Sequence, residues 1–322
     1  MDFCRTEADV TMRLASIDIG TNTVLMLVAE VQRDGSLAVV RDEHFIGRLG
    51  KGVDEYGIIL KETFFRIHRI LSQLKNIADS YSIQHISVCG TSALRDAINR
   101  QEFIDFMKEK LALDIHILSG KEEAELTYLG VVSEYRTKFG SESYTVLDIG
   151  GGSTEIVTGS GAQITSSVSI DIGSVRLTER ILKNNPPDGA ALEHAIQFVR
   201  DQLKNIIPLS PATTLIGVAG TLTTSAALDL RIEEFDNNLV NRHILSIKTI
   251  DRIFQELSPL TLDQLRRYPQ IHPSRADILL AGIIILRETL RIMNASKITV
   301  SDRGLRYGIV IKTAQTIINN TL

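Results

Sequence analysis

The sequence predicts an α/β protein made of two related lobes. Three observations carry this expectation. Apolar runs of strand length alternate with longer stretches of helical periodicity, the arrangement of an α/β sheet. The order strand, turn, strand, turn, strand occurs twice, first from "LASIDIGTNTVLMLVAE" and again from "YTVLDIGGGSTEIVTGSG". The first turns share chemistry as well, Asp18-Ile19-Gly20-Thr21 against Asp148-Ile149-Gly150-Gly151. Matching order with matching turns indicates an internal repeat, and two lobes facing each other across a cleft are the expected outcome.

In chain order, Leu14 to Asp18 and Val24 to Glu30 read as strands joined by the turn Gly20–Thr23, and Leu37 to Arg41 reads as a third strand after Asp34-Gly35. From Glu62 to Tyr81 the apolar residues Phe65, Ile67, Ile70, Leu71, Leu74, Ile77 and Ala78 recur near helical spacing. Ile83 to Cys89 follows as a buried strand, with a helix through Ala93 and Ile98 after it. Asp114 to Leu118 is a further strand, and a helix opens near Lys121. After the polar interval "SEYRTKFGSES" the second series begins. It adds a helix from Ala191 to Leu203 and the strand and turn "TLIGVAGT", which opens a helix at Leu222. A long apolar helix over "RADILLAGIIILRETLRIM" and the strand "KITVS" come next. The last helix, over 305–322, is expected to return to a first lobe comprising 1–125, leaving 126–304 as the second.

Composition narrows the class. The chain has 322 residues, 43% hydrophobic, with a net charge of -4. That is enough apolar material for two domains and too little positive charge for general attraction to nucleic acid. No uncharged apolar run reaches the roughly 18–20 residues of a membrane span, and "MDFCRTEADVTMR" has no apolar signal core, so residues 1–13 read as a short extension before the strand at Leu14. Cys4 and Cys89 have no metal or disulfide spacing, which favours a reducing cytoplasm, and Cys89 reads as a small core residue. Seven histidines show no paired spacing that would suit zinc. A homodimer is the default expectation for oligomeric state.

The chemistry centres on the glycine turns. Glycine between strands lets successive backbone N–H groups converge on phosphate oxygens, and the acids at the strand ends, Asp18 and Asp148, suit a magnesium ion or its waters. A tight hairpin is the simpler reading of either turn alone. Gly217-Val218-Ala219-Gly220-Thr221 is a third candidate, ahead of a helix whose amide end attracts anions. Arg95, just past a strand end, suits bidentate phosphate contact, or is a surface arginine. Arg48, Lys51 and Arg176 are either further phosphate contacts or solvated side chains. Among acids that could orient water for phosphoanhydride cleavage are Glu122, Glu123, Glu125 and Glu155; acids in a first helical turn equally serve the helix dipole.

The set "IDIGTNTVLMLV", "GRLGKGVDEYG", "GTSALRDA", "SGKEEAELTYLGV", "LDIGGGSTEIV", "GSVRLTE", "GVAGTLTT", "RADILLAGI" and "GLRYGI", in order from Ile17 to Ile309, resembles the exopolyphosphatase and guanosine pentaphosphate phosphohydrolase family. The resemblance implies an actin-like fold of the sugar-kinase and heat-shock-70 type, with duplicated ribonuclease-H-like lobes. It implies hydrolysis of terminal phosphate from inorganic polyphosphate, or alternatively from guanosine pentaphosphate. By the same resemblance Glu123 is the catalytic base and Arg95 a phosphate ligand. Phosphate contacts fall on Gly20, Thr21, Asn22, Thr23, Gly150, Gly151, Gly152, Ser153, Gly220 and Thr221. Asp148 and Glu155, with Asp18, are placed at Mg2+ or another divalent cation.

The chain departs from the longer members in lacking their additional helical domains and any "HD" pair, and Tyr307 stands where a glutamate is usual. Two other readings compete: an ATP-dependent kinase on the same fold, which predicts an acceptor pocket not found in the sequence, and a regulator that binds guanosine tetraphosphate or pentaphosphate without turnover.

Overall fold

Strand β1 (Val10–Ile19) shows how the first sheet is covered. Alternate residues point to opposite faces. Met12 and Leu14 join one apolar cluster, while Ala15, Ile17 and Ile19 join another. The computed structural model describes residues 10–32, 35–135, 143–210 and 212–321. The expected strand start at Leu14 moves back to Val10; residues 1–9, Asp34 and positions 136–142 of the polar interval lie outside the described residues.

The chain continues through β2 (Thr23–Gln32), β3 (Leu37–Ile46), α1 (Val53–Tyr56), α2 (Lys61–Asp79), β4 (His85–Gly90), α3 (Ser92–Asp96), α4 (Arg100–Leu111), β5 (Ile115–Ile117) and α5 (Gly120–Val132). The second series is β6 (Ser143–Ile149), β7 (Thr154–Ser160), β8 (Gln163–Ile170), α6 (Ser174–Arg180), α7 (Gly189–Leu203), β9 (Thr213–Val218) and α8 (Ala219–Leu230). Then come α9 (Asn237–Val240), β10 (Ile244–Ser246), α10 (Ile247–Leu257), α11 (Leu262–Leu265), α12 (Leu279–Ile292), β11 (Lys297–Val300) and α13 (Leu305–Thr321). Two units result, one running up to Ser133 and resuming at Leu305, the other spanning 134–304. Position 125/126 falls inside α5, all of which belongs to the first unit.

The first sheet has the order β3-β2-β1-β4-β5, with β2 antiparallel to β1 and β4 parallel to it. The second repeats the order as β8-β7-β6-β9-β11, with β10 added antiparallel at the β11 edge. This is the ribonuclease-H-like arrangement in duplicate, the actin-like class expected from the sequence.

Several elements differ from expectation. In α2 the buried stripe runs through Phe64, Ile67, Ile70, Leu71, Leu74 and Ala78, and Phe65 is 61% exposed against the ring of Phe106. A single apolar pair at adjacent positions leaves the helical phase ambiguous, and packing selects Phe64. The helix expected through Ala93 and Ile98 breaks at Ala97, which is extended, and Ile98 is exposed. The helix over "RADILL" starts only at Leu279, and from there to Leu290 its residues are buried except Arg287. Burial on all sides makes α12 the axis of the second core.

On the first sheet, α13 covers β1 and β2 through Tyr307, Val310 and Ala314, while Leu305 and Ile309 meet Cys89, Leu118 and Leu126. A side chain at Gly308 would collide with the Leu126 carbonyl, so α13 and α5 touch through their backbones. The buried Ser16 hydroxyl donates to the Arg306 carbonyl at 2.8 Å. Arg306 itself makes a bidentate pair with Asp42 of β3, Nε to Oδ1 at 3.0 Å and a terminal nitrogen to Oδ2 at 2.7 Å.

Two outcomes follow for the first unit. Burial by itself would raise the Asp42 carboxyl, but hydrogen bonds from His44 and Arg306 and their charges outweigh it and hold the group below its ordinary value of 3.8. A depressed carboxylate contributes stability above its unfolded pKa and loses it as pH falls through the folded one. Breaking such a pair costs roughly 3–5 kcal/mol. The thermal midpoint should therefore drop more steeply as pH falls below about 4 in the natural chain than in Asp42→Asn; parallel curves would show that the pair adds nothing. Cys89 is 7% exposed, and burial, with the charges of Asp18 and Glu122, pushes its thiol up to about 12. A maleimide at about pH 8 should leave Cys89 unmodified until the protein is denatured, as read by peptide mass. Labelling at the denatured rate would mean that β4 opens.

Candidate active site

At the end of β1 the chain reverses through Gly20–Thr23, and the Gly20 N–H donates to the Thr23 carbonyl at 3.0 Å. At the end of β6 it reverses through Gly150–Ser153, and the Gly150 N–H donates to the Ser153 carbonyl, also at 3.0 Å. Each turn is tied back by a second loop. In the first unit Gly50 N–H donates to the Thr21 carbonyl at 2.8 Å, while the N–H groups of Gly47 and Arg48 reach the Asn22 carbonyl at 3.0 and 2.8 Å. In the second, the N–H groups of Val175 and Arg176 donate to the Gly151 carbonyl at 2.8 and 3.1 Å, and Ser174 donates to Gly150 at 3.0 Å. Carbonyls drawn back in this way turn away from an incoming anion, which favours amide contact with it. Gly50 and Gly173 are the points of closest approach: a Cβ on the former would overlap Thr21, and on the latter the backbone of Gly151.

This geometry separates the predicted basic residues. Arg176 makes a backbone bond to the second-unit turn, and Arg48 likewise contributes its N–H to the first-unit turn in a left-handed conformation, φ 46°. Lys51 is exposed in the same loop as Arg48. Arg66, which the sequence did not single out, pins the same loop by donating to the carbonyls of Gly47 at 2.7 Å and Arg48 at 3.2 Å.

The four acids sort by burial and partner. Ser119 and Glu122 close a reciprocal capping box at the start of α5, and these bonds lower the Glu122 carboxyl, its backbone bond to Ser119 foremost. Glu122 is thereby a cap. Glu125 lies 3.8 Å from Lys121 on the same helix. Glu123 faces inward, 8% exposed, with Oε2 3.1 Å from the Arg95 guanidinium. The same Arg95 nitrogen donates to the Leu118 carbonyl at 2.8 Å, so β5, α3 and α5 meet at one guanidinium. The pattern Ser-x-x-Glu at 119–122 is the sequence signal that separates Glu122 from Glu123.

Asp18 is 8% exposed at the end of β1 and pairs in register with Cys89 of β4. By parity it stands on the sheet face covered by α13 and α5. In the second unit Asp148 and Glu155 are directly opposite across β6 and β7, and Ser169 of β8 continues the row and donates to Glu155 Oε1 at 2.8 Å. Two carboxylates side by side on one face repel, a cost that a bound cation removes. Among the described residues there is no group of three or more His, Cys, Asp or Glu side chains that would form a complete protein cage. Paired oxygen donors without a cage fit magnesium, which keeps waters and takes substrate phosphate oxygens as its other ligands.

The helix expected at Leu222 begins at Ala219, so Gly220 and Thr221 lie within its first turn. Thr221 is buried, and its hydroxyl lies where a Gly282 side chain would be, which leaves the helix amides as the group facing an anion. Against Gly220 lies the guanidinium of Arg275, whose pKa burial lowers without discharging it. Arg275 was not singled out in the sequence; "RADIL" marked only a helix start.

Among the described residues no helix is long and apolar enough to cross a membrane. The family model for Ppx/GppA phosphatases matches residues 27–317. Exopolyphosphatase 2 of Mycobacterium tuberculosis is 33% identical over 317 residues, 94% of this chain and 98% of that protein. A guanosine-5'-triphosphate,3'-diphosphate pyrophosphatase of Vibrio parahaemolyticus is 27% identical over 313 residues, 96% of this chain and 60% of that longer protein. The crystal structure of the Aquifex aeolicus Ppx/GppA family member has a TM-score of 0.81 at 30% identity, covering 95% of this chain and 98% of that one. With that breadth of coverage in both sequence and structure, the chain belongs to the Ppx/GppA phosphatase family.

Proposed function

We propose that this chain hydrolyses the terminal phosphoanhydride of inorganic polyphosphate and releases orthophosphate. The observation that carries the reading is the buried Glu123 carboxylate held 3.1 Å from Arg95. Cleavage of a phosphoanhydride needs an oriented water and a positive charge at the phosphoryl group, and this pair supplies both from rigid elements. Glu123 accepts the proton of the attacking water. Arg95 offsets charge on the phosphoryl oxygens. The turn amides over Gly20–Thr23 in the first unit and Gly150–Ser153 in the second bind further phosphate oxygens, as does the α8 amino end beside Arg275. Asp148 and Glu155 would hold a divalent cation, with Asp18 a candidate for its water shell; when bound, that ion neutralises phosphate charge.

Polyphosphate ranks ahead of guanosine pentaphosphate because the similarity to the exopolyphosphatase spans that whole protein, whereas the similarity to the pyrophosphatase spans 60% of it. Phosphate release with magnesium should be compared on short polyphosphate, long polyphosphate, guanosine pentaphosphate and ATP. Release from polyphosphate is expected, and release from guanosine pentaphosphate alone would replace the substrate.

Glu123→Gln should lower kcat by about 10²–10⁴-fold with polyphosphate binding retained. Unchanged turnover would remove Glu123 from the role. Arg275→Met should raise KM about ten-fold and change kcat little, since it removes phosphate binding and leaves the water in place. A loss confined to kcat would place Arg275 at the reacting phosphoryl group instead.

A further inference from the structure

The start of α13 lies behind both residues of the pair on which the proposed chemistry rests. Leu305 and Ile309 pack against Leu118, whose carbonyl holds Arg95, and against Leu126, one turn along the helix that bears Glu123. Gly308 brings the α13 backbone against the Leu126 carbonyl with no room for a Cβ. A shift of α13 along its axis therefore displaces α5 directly.

Two contacts tie that axis to the sheet, both at residue 306: the guanidinium grips both oxygens of Asp42 on β3, and the Arg306 carbonyl accepts from the buried Ser16 hydroxyl of β1. Within α13 the guanidinium lies 5.0 Å from the centre of the Tyr307 ring. Tyr307 is 3% exposed among Met12, Leu14, Leu27 and Ala29. The adjacent ring faces the guanidinium while Asp42 supplies the counter-charge. A bidentate ion pair, 5% exposed at the arginine and 15% at the aspartate, holds direction as well as distance.

We propose that the Asp42–Arg306 pair, seated against the Tyr307 ring, is a positioning device that sets the Glu123 carboxylate through the contact of α13 with α5. The inference rests on the reading of Glu123 as the residue that orients water. Asp42 and Arg306 touch no substrate in this account. They act by holding the helix that holds the base, and misplacing a base by a fraction of an ångström lowers kcat without weakening phosphate binding.

The test is a double-mutant cycle of Asp42→Asn with Glu123→Asp, measured by steady-state phosphate release from polyphosphate with magnesium, well below the unfolding midpoint of every variant. Asp42→Asn should lower kcat about ten-fold with KM within about two-fold, and the same change in the Glu123→Asp background should cost less than about two-fold, because a shortened carboxylate is already misplaced. Equal losses in both backgrounds, or an unchanged kcat in Asp42→Asn, would overturn the positioning role while leaving Glu123 as the base. A kcat insensitive to Glu123→Asp would overturn both. Should Asp42→Asn not fold, Arg306→Lys keeps the charge and removes the bidentate geometry. It should reproduce the fall in kcat at constant KM, and full activity in that variant would sink the proposal.

Discussion

A four-residue turn closed by one hydrogen bond, from the N–H of a glycine to the carbonyl three residues on, organises each unit of this protein. It ends the central strand, reverses the chain into an antiparallel neighbour, and leaves its middle carbonyls to be taken by a second loop. The second loop can approach that closely only where it carries no side chain, at Gly50 in one unit and Gly173 in the other. The rest of each site is built outward from this turn. The strand before it supplies an acid, Asp18 or Asp148, and the next parallel strand, β4 or β9, delivers a helix amino end at the same sheet edge.

The two units place different side chains on this shared frame. In the first, β5 and α5 bring a buried glutamate against an arginine, an arrangement suited to handling a proton and a phosphoryl charge. In the second, the register of β6 and β7 sets two carboxylates opposite one another. The corresponding position in the first sheet pairs Asp18 with Leu25, so the duplicated topology carries one acid there and two in the other unit. The difference here lies in single side chains on the same arrangement of strands.

Arginine recurs as the residue that fixes loops and helices in place. Arg66 holds the loop behind the first turn, Arg95 bridges β5 and α5, and Arg306 locks α13 to β3. Arg66 and Arg306 do so through two nitrogens of a planar group, which constrains orientation in a way that a lysine ammonium does not. The apolar cores supply non-directional burial, and directional ion pairs and backbone contacts such as that at Gly308 add orientation to it.

Fold class, the duplicated strand order and the two turns are legible in the chain alone, because all three depend on local periodicity and on glycine-rich turn chemistry. The sequence also carried the capping box at Ser119 and Glu122, a local pattern that assigns one of three clustered acids. Which of the others is buried was decided only by tertiary structure: Glu123 and Glu125 are both plausible until α5 is docked and one face meets Arg95. The same holds for Phe64 against Phe65 in α2, for the first turn of α8 at Ala219, and for Arg275 against Gly220. In each case the deciding contact joins residues far apart in the chain, and helical or strand periodicity carries no information about the partner.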